Sequence, residues 1–576
     1  MKHVFSLRMA GLLAGLFFAL ASPTAAQAPA WQSARVVAAA TAAVTGNFSY
    51  VRATAVDAAG NVYLAGYFAN SVVLGGTTLT SVGGDDVFVA KFSPVSNQFV
   101  WARRAGGSSD DQANALAVNG TSVYLAGEFR SPTASFGATT LANAGSADVF
   151  VAKLTDAGST SSFTWAQRAG GLDNDLATAL AVRGTSVYVA GEFRSFTASF
   201  GATILINVRT AAFTSDAYVA KLTDAGPTGS FAWAQRAGGQ DNDSADALAV
   251  NGASVYMAGE FRSSSVGFGS TNLTNTGIND AYVAKLTDAG STSSFVWAQR
   301  AGSIGDDQAN ALAVSGNNVY VAGYFGGLTA GFGTTTLVNA NTTGNSADAY
   351  VAKLADAGST SSFVWAQRAG GTGNDRADAL AVNGTSVYVS GAFISSTAAF
   401  GATTLANANT AGGSADAYVA KLADAGPTGS FAWAQRGGGA GNEYAFALAL
   451  SGSNVYVAGY FNSPTASFGA TTISNPNTNT ILGFLASLTD PTLTATATAG
   501  PREPAALFPN PARHTATLRL PTGTPGAPLT LTDALGRAVR RYPAPAGPET
   551  VLDLGGLPAG LYLLRGAGPA RRLAVE

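Results

Sequence analysis

Along most of this chain, apolar residues alternate with polar or small ones in short runs. Each run is closed by Gly, Asn, Asp or Ser. A period of two predicts half-buried β-strands, and no stretch repeats with the 3.6-residue period of a helix. Ala115–Val118 and Ser122–Phe129 are separated by Asn119-Gly120-Thr121, a tight-turn signal. Asp148–Leu154 and Phe163–Arg168 are separated by a Thr/Asp/Gly/Ser turn over 155–162. These four runs, designated strands A to D, form one unit, and the unit repeats.

Trp residues mark the repeat at 31, 101, 165, 233, 297, 365 and 433, with spacings of 70, 64, 68, 64, 68 and 68. Four strands per repeat suggest a β-propeller with one sheet per blade. The units are long because the B–C connection carries about eighteen residues, as in 130–147, whose 135–141 segment predicts an extra short hairpin. Strand A recurs seven times, ending at Val56, Val118, Val182, Val250, Val314, Val382 and Leu450. Strand C also recurs seven times, worn down to Phe484–Leu488 in the last copy, yet no Trp-bearing strand D follows it. The missing strand is expected from the region of Trp31. The predicted fold is therefore all-β: a seven-bladed propeller of four-stranded blades, closed by the N-terminal strand, followed by a small Ig-like β-sandwich. A linear solenoid would need polar caps at both ends, and none is visible.

The units resemble the β-propeller repeat family abbreviated SBBP. The resemblance is carried by Asp280–Gly302, Gly370–Val382 and Asp57–Phe68, and extends over roughly 30–490. It implies the propeller fold and an extracytoplasmic setting, and no common enzymatic activity.

Charged residues make up 11% of the 576 residues and the net charge is −2, so no basic surface is available for nucleic acid. Residues 1–26 combine a basic start, an apolar run of about twelve residues and small residues near Ala26, the pattern of a secretory signal peptide. No later segment is long and apolar enough to span a membrane as a helix. The chain has no Cys, and its only two His are His3 and His514. The repeat region therefore lacks His-based acid–base pairs, Ser-His triads, Cys nucleophiles and ordinary zinc sites. A pair of carboxylates, as in glycosidases, is the remaining catalytic option.

Candidate sites follow from what repeats and what does not. "DAYVAKL" occurs at 216–222, 280–286, 348–354 and 416–422, with near copies at 86–92 and 148–154. Its Lys marks either a ring of amines or a repeated blade contact. Identical residues in every blade favour packing, with Asp148 or Glu128 as conceivable partners. Phe163 and Trp165 are expected on one face of strand D as a packed pair. Acids precede six of the seven strands A, at Asp111, Asp175, Asp243, Asp307, Asp375 and Glu443, and the first has Asn47-Phe48 instead. On exposed loops these offer oxygen ligands to a ligand or to calcium, or they cap turns. No cofactor is otherwise implied. Three consecutive units carry Glu-Phe-Arg, giving Glu128/Arg130, Glu192/Arg194 and Glu260/Arg262, a patch that breaks the symmetry.

After residue 490 the composition shifts to Pro and Leu. The final segment resembles the type A sorting domain of the type IX secretion system of Bacteroidota. The resemblance is carried by Phe508-Pro509-Asn510-Pro511, Asp533 through Gly536-Arg537, and Gly560-Leu561-Tyr562. It implies recognition by the type IX secretion machinery, and release or attachment at the surface of a Gram-negative cell. The expected organisation is a signal peptide (1–26), a propeller (27–490), a linker (491–504) and a sorting domain (505–576). The expected function is a non-catalytic, secreted or surface-bound binding and display scaffold, an adhesin or a glycan- or protein-binding protein. The alternative is a carbohydrate- or polymer-active enzyme using carboxylates on the loop-rich face.

Overall fold

The computed structural model describes residues 28–493, apart from 38, 41–45, 209–213, 410–411 and 478–479, and residues 506–576, apart from 509, 520–527, 534–535, 546–548 and 567–570. The expected signal peptide and most of the expected linker fall outside them. The chain divides into two units, Met1–Thr494 and Ala495–Glu576.

In the first unit every regular element among the described residues is a strand. Strands A (Asp111–Asn119), B (Ser122–Phe129), C (Asp148–Asp156) and D (Ser161–Ala169) pair antiparallel in that order. The A–B connection is the two-residue turn Gly120-Thr121, with Gly120 at φ +60° as such a turn requires. The predicted B–C hairpin is present as Thr133–Phe136 paired with Thr139–Ala142. The same four-stranded pattern recurs from strands A at Phe48–Val56, Asp175–Arg183, Asp243–Asn251, Asp307–Ser315, Asp375–Asn383 and Glu443–Ser451. In the last of these sheets the outer strand is Trp31–Val37, paired antiparallel with strand C, Leu482–Thr489.

The core lies between sheets. Tyr218, Ala220 and Leu222 of one "DAYVAKL" join a buried cluster shared with the preceding sheet, whereas Ala217 and Val219 join the cluster shared with the next. This is the alternation the sequence predicts, with both faces buried and small Ala allowing close approach. Tyr456, Ala458 and Leu485 of the last sheet share a buried cluster with Val51, Leu64 and Phe88 of the first. Strand Phe48–Val56 also lies against Glu443–Ser451.

Strand D departs from the expected alternation. Lys153 pairs with Trp165, but Leu154 pairs with Phe163, so Thr164 is an extra residue, a β-bulge. Phe163 therefore packs toward the preceding sheet, edge-on to Phe136 at 5.7 Å. Trp165 enters the cluster shared with the following sheet. The pair expected on one face is split between two.

That split explains the repeated Lys. Lys153 Nζ donates to Asp224 Oδ2 at 2.6 Å, Tyr124 OH donates to the same oxygen at 2.6 Å, and Trp165 Nε1 donates to Asp224 Oδ1 at 3.1 Å. Asp224 ends strand C of the next sheet. The equivalent pairs Lys91–Asp156, Lys221–Asp288, Lys285–Asp356, Lys353–Asp424 and Lys421–Asp490 span 2.6–2.9 Å and are buried. Lys thus reaches forward to the next sheet's turn rather than to Asp148 or Glu128. At the remaining junction Ser487 stands at the Lys position and Pro94 at the Asp position. There Arg35 of the N-terminal strand lies over Phe92, 4.2 Å from the ring centroid, and Ser33 Oγ bonds Ser487 Oγ at 2.8 Å.

The second unit is a sandwich of a three-stranded and a four-stranded sheet around Leu518, Leu531, Leu552, Leu564 and Leu573. Asn510 holds the last strand at 2.9 Å from Arg572 O and 2.8 Å from Ala574 N. Arg537 closes a turn on Asp533, Nε to Oδ2 at 2.8 Å, with Gly536 at φ +82°. Tyr562 is buried, its OH donating to Pro558 O at 2.7 Å, and Gly560 opens the strand before it. Phe508 ends the first strand of this unit; Pro509 lies outside the described residues. Among the described residues of both units, no helix is long and apolar enough to cross a membrane.

Candidate functional site at the axis

The acids expected on exposed loops are the first residues of strand A, and all are buried. Asp111 accepts four bonds: Gly107 N and Ser131 Oγ at 2.7 Å on Oδ2, and Arg130 N and Ser131 N at 3.1 and 3.2 Å on Oδ1. Asp175, Asp243, Asp307, Asp375 and Glu443 cap the same loops in their own sheets. Asp111, Asp175 and Asp375 each accept four protein donors, which leaves no lone-pair position for a ligand or calcium, whereas Asp243 accepts three and Asp307 and Glu443 two each. The structure places them as caps of their loops, one of the two roles the sequence allows them. Among the described residues, no three His, Cys, Asp or Glu are grouped to hold a metal ion.

Each strand A carries a β-bulge of its own, which in six of the seven falls three residues after the acid. Ala126 pairs with Ala115 and Gly127 with Ala113, which leaves Asn114 unpaired. The bulge brings strand A's backbone against Gly127: a Cβ there would sit 1.9 Å from Gln112 O. Gly66, Gly191, Gly259, Gly323, Gly391 and Gly459 stand in the same contact, which accounts for the Gly in every "AG-x-F".

The bulged residues line a central cavity of about 530 Å³ shared by all seven sheets. In sheet order they are Arg52, Asn114, Thr178, Asp246, Asn310, Asp378 and Phe446. Five residue types occupy seven otherwise repeated positions. Residues two positions earlier also vary: Tyr50, Gln112, Leu176, Ser244, Gln308, Arg376 and Tyr444. So do their cross-strand partners on strand B: Tyr67, Glu128, Glu192, Glu260, Tyr324, Ala392 and Tyr460. The three Glu of the symmetry-breaking patch thus belong to this region.

The first and last sheets contribute aromatic rings. Tyr50 stacks on Tyr67 at 4.9 Å and meets Tyr460 at 4.9 Å; Tyr444 stacks on Tyr460 at 5.3 Å and on Phe446 at 5.7 Å. Arg52 lies over Phe446 at 4.7 Å. The next three sheets contribute carboxylates. Glu128 bonds Arg130 at 3.0 Å, and Glu192 accepts from Ser215 Oγ at 2.8 Å and lies 3.5 Å from Arg194. The third pair does not form: Arg262 turns to Asp241 at 3.6 Å, and Glu260 accepts from Asn279 at 3.0 Å. Burial, then Asp246 and Asp306, push the Glu260 carboxyl up to about 8. Burial raises Asp246 to about 6 despite bonds from Gln308 at 3.1 Å and Ser244 at 3.0 Å. In the sixth sheet Arg376 Nε donates to Asp378 Oδ1 at 2.6 Å. A second cavity of about 280 Å³ opens beside Arg376, between Tyr324 and Tyr444, where Ala392 takes the place of Glu or Tyr.

The patch Glu128, Glu192 and Glu260 was legible in the sequence, whereas the bulged positions were not. Their signal is the fixed Gly of strand B together with one variable residue between two Ala of strand A.

No protein-family model matches the chain, and no curated protein matches it in sequence. Among solved structures it is similar to a fungal alcohol oxidase of the AA5 family in complex with copper. That match has 11% identity over 95% of this chain and 99% of the other, with a TM-score of 0.35, a likeness too loose to carry a functional reading.

Proposed function

We propose that the seven sheets form a closed seven-bladed β-propeller, exported from the cell, whose axial mouth binds an extracellular ligand without transforming it. The observation that supports this most is where variation is concentrated. In a chain that repeats "DAYVAKL" verbatim, the bulged position of strand A differs from sheet to sheet and lines the central cavity. Packing alone calls for repetition, whereas a single ligand calls for differences. Aromatic rings and carboxylates on neighbouring walls suit a polymer with apolar faces and hydroxyl groups. Closure is supported by the Trp31–Val37 strand and by the buried cluster joining first and last sheets.

A second reading is favoured by one observation: Asp246 and Glu260 lie within electrostatic reach of each other, one carboxyl raised to about 6 and the other to about 8. Acids held apart in pKa are what a carbohydrate hydrolase uses. One assay separates the two. Purified protein is incubated with insoluble cellulose, chitin and xylan, and both retention and new reducing ends are measured. Binding predicts retention on at least one polymer, lost on Tyr50→Ala/Tyr460→Ala, with no reducing ends. Reducing ends that disappear on Glu260→Gln would install the hydrolase instead.

The repeat's likeness to SBBP units and the sorting-type tail support export to the cell surface or medium through the type IX secretion machinery. Removing 505–576 is expected to leave the protein in the periplasm of a type IX-competent host. Unchanged appearance at the surface would reject that route.

A further inference from the structure

We propose that the pocket beside Ala392 is a subsite for one neutral pyranose residue, an inference that rests on the axial binding reading. At this point of strand B the other sheets carry Tyr67, Glu128, Glu192, Glu260, Tyr324 and Tyr460. Ala392, itself only 1% exposed, leaves their side-chain volume empty and opens the cavity of about 280 Å³. That is just under the size range of drug-sized ligand sites and suits a single ring.

The lining selects the chemistry. Tyr324 and Tyr444 come from the sheets on either side and supply the flat apolar surface that a sugar ring's C–H face packs on. Arg376 places both Nε, at 2.6 Å, and Nη2 on Asp378 Oδ1, which leaves Nη1 of its partly exposed side chain to donate. Asn374 accepts Ala347 N through Oδ1 at 2.9 Å, which leaves its NH2 to donate. Asp306 takes Asn279 on Oδ1 at 2.8 Å, and Tyr324 OH lies 3.4 Å from Oδ2, too long to satisfy that oxygen.

Charge excludes an anion: on entering the pocket it meets Asp306, and Arg376 has no free charge to offer because Asp378 neutralises it. A neutral ligand with vicinal hydroxyls uses both walls, donating to Asp306 and accepting from Arg376 and Asn374.

The test is saturation-transfer NMR on the full chain with the methyl pyranosides of glucose, galactose, mannose and N-acetylglucosamine, alongside glucuronic acid as the anionic analogue. Transfer is expected from at least one neutral pyranoside and to be at least about tenfold weaker for the anionic analogue. Ala392→Tyr restores the residue of the fifth and seventh sheets, so it is expected to leave melting unchanged and abolish transfer. Ala392→Glu, the residue of three other sheets, repeats the test should Tyr disturb folding. Absence of transfer from every neutral pyranoside, or preference for the anionic analogue, overturns the proposal. Transfer that survives both substitutions also overturns it. If transfer survives them but is lost on Tyr50→Ala/Tyr460→Ala, the side pocket is wrong and the axial reading stands.

Discussion

Asp224 shows how one side chain joins two sheets. Burial disfavours its charge, yet donors from Lys153, Tyr124, Gly226 and Trp165 together hold its carboxyl below the ordinary range. A buried ion pair is weak evidence of net stabilisation over an apolar substitute, but removing one partner strands the other. Asp224→Ala leaves the Lys153 ammonium, the Tyr124 hydroxyl and the Trp165 indole N–H without their acceptor. The expected cost is roughly 3–5 kcal/mol by denaturant unfolding, against little change for Asp241→Ala, whose side chain is half-exposed. Equal effects would show that the staple contributes nothing. The repetition of Lys was plain in the sequence and its structural role was the reading favoured there. Its partner was not legible, because Asp224 lies 71 residues away and only blade-to-blade packing brings it within 2.6 Å.

At the scale of elements, period-two patterning and turn residues marked strands A to D and the inner hairpin. They did not mark the bulges. An extra residue in one strand leaves the composition of the run intact while it reverses the faces of everything beyond it. That is why Phe163 and Trp165 separate, and why Asn114 and its counterparts turn to the axis. The need for the N-terminal strand could be counted from seven strands C and six following strands D. The contacts that replace the staple there, Arg35 over Phe92 and Ser33 to Ser487, depend on the fold.

The whole molecule carries two sets of buried carboxylates whose effects on stability have opposite signs. Burial first, with smaller contributions from neighbouring acids, raises Asp175 and Asp375 to about 6 and Asp243, Asp307 and Glu443 to about 7. Each of these faces a buried acid of the preceding sheet, Asp148, Asp216, Asp280, Asp348 or Asp416, itself paired with Arg168, Arg236, Arg300, Arg368 or Arg436. Stability from a raised group is fully present below its unfolded pKa of about 4 and is lost as pH rises through the folded value. The staple acids are lowered, Asp490 to about 2, so their contribution is present above about 4 and lost as pH falls through the folded value. Melting of the first unit is therefore expected to peak near about pH 4 to 5 and to fall on both sides. A flat profile from about pH 5 to 8 would show that the capping acids titrate normally.

Sequence alone determined what is local and repeated: strand type, repeat number, the compensation between the chain's two ends, and the absence of Cys and of His from the repeats. These follow from residue-by-residue alternation and from counting, which need no knowledge of neighbours in space. Tertiary structure decided which repeated residues are buried and which varied ones converge. The acids before strand A could cap turns or bind a ligand on the sequence alone, and the fold uses them as caps. Nothing in the sequence marked Arg376, Ala392, Tyr324 and Tyr444 as neighbours. They become one pocket because packing of successive sheets sets the same strand positions side by side, although they are 50 to 70 residues apart in the chain.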